Sequence, residues 1–194
     1  MSNVPTPGGA PVQMEAMFAL TMYGATMLSV QAFERSLAAL TLALGAKPWK
    51  TKPFKSPEHM HRYLGRLFSR IAHAFQKASA AELRKMLPAG LDPDLVAEID
   101  GLIKWRGRLA HRYLIEKMVL GAGGLSFKPG VPVELLRVSQ QFAATGKKVT
   151  DLLQSTIASW PQLEDTPPEV IAMFSSFARP LMFGEPWEPP AEQS

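Results

Sequence analysis

The chain has 194 residues, 46% of them apolar and 20% charged, an ordinary globular balance that suits one domain with a substantial core and excludes wholesale disorder. It has no cysteine, which removes disulfides and thiolate metal sites and fits a reducing, cytoplasmic setting. Its formal charge of +4 tolerates a polyanionic partner without specifying one.

Residues 1–10, MSNVPTPGGA, read as a flexible arm, and residues 11–178 as a single helical domain. The first helix is expected from about Pro11 or Val12 to Leu44, with Phe18, Met22, Leu28, Phe33, Leu37 and Leu40 recurring at three- and four-residue intervals as a packed stripe. Residues 16–33 carry no formal charge, yet Thr21, Thr26, Ser29 and Gln31 interrupt them and Glu15 and Glu34 flank them. No basic region precedes the run, so it reads as a long buried helix, neither a membrane span nor a signal peptide.

Residues 46–55, AKPWKTKPFK, form a basic connection whose aromatics pin it to the body. Helix two starts at Ser56-Pro57-Glu58, where a hydroxyl caps free amides and proline suits the first turn. A shorter continuation, SAAELRKML, leads to a turn at Pro88-Ala89-Gly90. Asp92-Pro93 repeats the capping pattern and opens a third long segment expected to reach about Leu120, ended by the GAGG run at 121–124. A fourth helix is expected over Pro132–Trp160, and Thr166-Pro167-Pro168-Glu169 opens a short terminal helix to about Ala178. Residues 179–194 are too rich in proline for a regular element. No alternating stretch is long enough for a sheet. The expectation is an all-α, up-and-down bundle of about four long helices plus a short C-terminal one.

Phosphate-loop, dinucleotide and zinc-finger patterns are absent, and His59 and His61 point about 200° apart on a helix, so neither a metal nor a cofactor is expected. The richest chemistry lies in RGRLAHRYL, residues 106–114. Arg106 offers a permanent cationic fork for a phosphate, and His111 supplies an imidazole able to exchange a proton with a hydroxyl. Arg108 and Arg112 add positive field, and Tyr113 a phenol. With RNA bound, such a histidine would promote attack of a ribose 2′-hydroxyl on the adjacent phosphate while the arginine stabilised the developing charge, with no metal. Arg106 and His111 lie about 140° apart around an ideal helix. A bend at Gly107, side-chain reach or pairing of two subunits would have to converge them.

Arg106-Gly107-Arg108-Leu109-Ala110-His111-Arg112-Tyr113 resembles the Arg-x4-His-x-Tyr signature of the HEPN superfamily, the higher-eukaryote and prokaryote nucleotide-binding helical domains. The resemblance implies a metal-independent endoribonuclease of the bacterial toxin type, cleaving single-stranded RNA as a homodimer with Arg106 and His111 in a shared cleft. Tyr113 would be the motif tyrosine, open to adenylylation by a nucleotidyltransferase or antitoxin partner. Gly107 departs from the family's usual polar residue, which favours an alternative: a noncatalytic HEPN-like nucleotide- or RNA-binding or regulatory module. A second copy, His61-Arg62-Tyr63-Leu64, has Ser56 at the arginine position and is not read as a site.

Overall fold

The computed structural model describes residues 9–45, 56–121 and 124–159, with positions 168, 171 and 172. In chain order the elements are α1 (Gly9–Gly45), α2 (Pro57–Lys77), α3 (Ala80–Met86), α4 (Pro93–His111), α5 (Tyr113–Lys117), β1 (Met118–Gly121), β2 (Gly124–Phe127) and α6 (Val131–Ser159). The fold is all-α, with α1, α2, α4 and α6 as its long helices and one small hairpin. The arm at 1–8, the basic connection at 46–55 and the tail at 179–194 lie outside the described residues. So does nearly all of the expected terminal helix, of which 168, 171 and 172 are described, as helical.

Local chemistry starts the helices where the capping signals stand. The Ser56 hydroxyl accepts from the His59 amide at 3.2 Å, with Pro57 in the first turn of α2. Ser79 and Glu82 form a reciprocal capping box on α3. The Asp92 carboxylate accepts from the amides of Asp94 and Leu95 at 2.8 and 3.2 Å, opening α4.

The third segment departs from the expected continuous helix to Leu120. It stops at Arg112, whose φ of −131° and ψ of −27° break the helical path. One further turn, α5, leads into β1, which pairs antiparallel with β2 through Met118 with Phe127, Val119 with Ser126, Leu120 with Leu125 and Gly121 with Gly124. The expectation of no sheet is therefore corrected by this one hairpin. Each strand is only four residues long, too short to display an alternating pattern. Gly124, at φ of 101°, and Gly130, at φ of 81°, occupy backbone that side chains resist, and they turn the chain into β2 and then into α6.

The core forms where α1 and α6 lie side by side in the same direction, with α4 running antiparallel to both. Thr26 reaches the Leu135 carbonyl at 3.3 Å, Ser29 and Ser139 share a bond of 2.9 Å, and Phe33 meets Phe142 edge to face at 5.5 Å. Across α4, the Tyr23 hydroxyl donates to the Leu109 carbonyl at 2.8 Å, and Thr145 donates to Glu98 at 3.2 Å. Leu37, Leu40, Leu64, Phe75, Ile99 and Leu135 are fully buried between the helices.

Helix α1 is not buried along its whole length, which corrects the expectation for 16–33. Residues 36–40, 42 and 43 are enclosed on all sides. Towards the N-terminus only one face is covered, through Ala16, Ala19, Thr26 and Val30, whereas Phe18 and Leu28, expected in the packed stripe, are exposed. The reason is the register: with Thr26 beside Leu135, α6 begins level with about residue 22 of α1, so the earlier turns overhang the bundle. There α1 meets the hairpin through β2. By length and composition α1 could cross a membrane, and 28% of its most apolar 18-residue window is buried.

Candidate functional site

The last two turns of α4 and all of α5 carry the motif residues, and they divide into an inward and an outward set. Arg106 points inward. Its Nε donates to the Glu34 carboxylate of α1 at 2.9 Å, with both side chains only 10–15% exposed. Its terminal nitrogens donate to the carbonyls of Ala78 at 3.1 Å and Phe75 at 3.2 Å, and to that of Gln76. Those carbonyls belong to the end of α2, where a helix leaves acceptors unsatisfied and carries partial negative charge. The guanidinium thus caps α2 and ties it to α1 and α4. Burial pushes the Glu34 carboxyl above its ordinary range, and the Arg106 charge and hydrogen bond offset part of that rise.

Tyr113 is also inward, with 0% of its surface exposed. Its ring stacks on Tyr23 at 6.3 Å and tilts against Trp105 at 6.5 Å, while its hydroxyl donates to Glu134 of α6 at 3.1 Å. Burial, then the Glu134 charge and hydrogen bond, hold the phenol well above its usual pKa, so it stays protonated. The tyrosine that the resemblance marks for modification therefore presents no surface to a transferase in this fold.

Arg108 covers this aromatic group from outside. Its guanidinium lies 5.2 Å from the Trp105 ring centre and 5.8 Å from that of Tyr113, and it pairs with Glu116 at 2.9 Å and Glu134 at 3.8 Å. Lys117 completes the cluster, 2.6 Å from Glu134 and 5.6 Å from the Tyr113 ring centre. Burial raises the Glu134 carboxyl, but hydrogen bonds from Lys117 and Tyr113 with the charges of Lys117 and Arg108 outweigh it, and the net shift is downward.

His111 and Arg112 are the outward set, both exposed at the junction of α4 and α5. No contact joins His111 to Arg106. Within one chain the structure does not bring Arg106 beside the imidazole, because the buried Glu34 and the α2 carbonyls hold the guanidinium on the other side of α4. Gly107 sits in regular helix, and a Cβ there would meet nothing within 4 Å, so neither a bend nor a crowded backbone explains its choice.

Sequence reasoning missed Glu34, Glu134, Trp105 and Lys117. One signal was visible: Glu34 interrupts the apolar run of Phe33 and Leu37, and a carboxylate there requires a cationic partner. Among the described residues there is no group of three or more His, Asp or Glu side chains able to hold a metal ion. What the outward set offers chemically is an accessible imidazole with a cation beside it, open to a polyanion, without a fixed donor fork. No family model, curated protein or solved structure matches this chain.

Proposed function

We propose that this chain is a noncatalytic HEPN-like binding module that meets single-stranded RNA or a nucleotide through the exposed His111 and Arg112. One observation carries the reading. The guanidinium that a nuclease of this type needs at the phosphate is committed to Glu34 and to three backbone carbonyls. Withdrawing it would strand a buried carboxylate and uncap α2, at a cost of about 3–5 kcal/mol. His111 and Arg112, by contrast, reach solvent without rearrangement.

The test uses the full chain with end-labelled single-stranded RNA in the absence of divalent ions. Binding should weaken with added salt, and His111→Ala with Arg112→Ala should reduce affinity about tenfold, as loss of two phosphate contacts implies, while the RNA stays intact. Cleavage that disappears in His111→Ala would replace this reading with the metal-independent nuclease. Absence of any RNA or nucleotide binding would leave a regulatory protein–protein role in its place.

A further inference from the structure

Helix α1 exposes a mostly apolar stripe with coiled-coil spacing, interrupted by Thr21 and Gln31. Met14, Met17 and Phe18, Thr21, Gly24 and Ala25, Leu28, then Gln31 and Ala32 follow one another at alternating steps of three and four, all on the exposed side. Met14, Met17, Phe18 and Leu28 are 70, 69, 56 and 67% exposed, which is unusual for large apolar side chains so close together. Just beyond, from Ser36 to Ala43, the same helix is enclosed by its own chain. The stripe therefore ends where intramolecular cover begins.

We infer that a second copy of this chain covers the stripe, α1 against α1 in antiparallel fashion, about a two-fold axis passing by Gly24 and Ala25. Three features select this occupant. First, residues 16–33 are uncharged, so two identical faces meet without like-charge repulsion, as a two-fold contact requires. Second, the stripe complements itself in size when reversed: Met17 falls on Ala32, Phe18 on Gln31, Leu28 on Thr21, and Gly24 on Ala25. Met17 and Leu28 meet smaller residues, Phe18 lies along the Gln31 stem, and the two smallest residues lie at the crossing, where the backbones approach closest. The half-exposed Arg35 closes each end, its stem over Met14 and its charge in water.

Third, the exposed area is of the order that pairing needs. The four large side chains alone present on the order of 400–500 Å² per copy at their stated exposures. The small residues between them bring the stripe towards the roughly 800 Å² per partner of a standard interface. This face lies opposite the one that packs against α4, so the pairing does not bring two His111 side chains together, and it stands whether or not the α4–α5 junction binds RNA.

Sedimentation velocity of the full chain tests the pairing. The protein should be a dimer at roughly 50 µM, and Met17→Glu with Leu28→Glu should raise the dimer Kd by about 100-fold or more, since each buries an unpaired charge. Both positions are exposed in the single chain, so helicity by circular dichroism should be unchanged. Ile115→Glu, at an 81% exposed apolar residue next to the hairpin, should leave the dimer intact. Because the chain has no cysteine, Ala25→Cys supplies the sole thiol, and mild oxidation should convert the dimer to a covalent one. A monomer throughout, a dimer indifferent to the double substitution, or one that Ile115→Glu abolishes overturns the proposal. So does a monomer that floats with neutral phosphatidylcholine vesicles, which would assign the stripe to lipid.

Discussion

Arg106 shows how one residue type in one motif position takes opposite roles according to what surrounds it. Read along the sequence it is a cation near a histidine, and in the fold it is the tie between three helices. Replacing it with methionine keeps much of the stem but leaves Glu34 buried and unpaired, so Arg106→Met should lower unfolding stability by about 3–5 kcal/mol. Pairing it with Glu34→Gln should recover part of that loss, because the stranded charge goes with it. Urea denaturation of the two variants checks both values. A loss under 1 kcal/mol for the single change would mean that the guanidinium is free to move. Tyr113 and Glu134 follow the same logic, with a phenol that the resemblance marks as a reactive handle serving as a donor to a carboxylate inside the packing.

At the scale of the element, capping residues made the starts of α2 and α4 legible before any contact was known. Ser56 and Asp92 both cap where their side chains imply, because the free amides of a first turn demand local acceptors. The capping box at Ser79, read in the sequence only as a continuation of helix two, makes α3 a separate helix. The end of α4 was not legible. Residues 112–120 include good helix formers, and only pairing with Leu125–Phe127 recruits Met118–Leu120 into a strand. Gly107 offers a clean test of the intact part of α4. A Cβ there meets nothing within 4 Å, so Gly107→Ala should raise stability by up to about 1 kcal/mol through helix propensity, seen as a higher thermal midpoint. A decrease would show that the glycine's flexibility is used in the folded state.

For the whole molecule, carboxylates of opposite shift give the acid response a definite shape. Glu34 is raised, so its contribution is fully present below the ordinary glutamate value and fades as pH rises through its folded pKa. Glu134 is lowered, so its contribution is present above the ordinary value and is lost as pH falls through its folded pKa. Denaturation midpoints taken from pH 7 to pH 3 should therefore show wild type gaining on Glu34→Gln as pH drops towards about 4.5. Below that, wild type should lose the Glu134 part, and Glu134→Gln should flatten the fall. Parallel curves for wild type and Glu34→Gln would mean that Arg106 fully compensates the burial.

Helix content, the capped starts of α2 and α4 and the all-α class followed from the sequence alone, because amphipathic spacing and first-turn hydrogen bonding are properties of a few adjacent residues. Which face of α1 is covered, where α4 stops and which way Arg106 points were decided only in three dimensions. Each depends on a partner far along the chain: α6 starting level with the middle of α1, β2 lying beside β1, and a carboxylate 72 residues from the guanidinium it holds. A motif records which groups are close in sequence, whereas burial and hydrogen-bond demand determine which of them face the solvent.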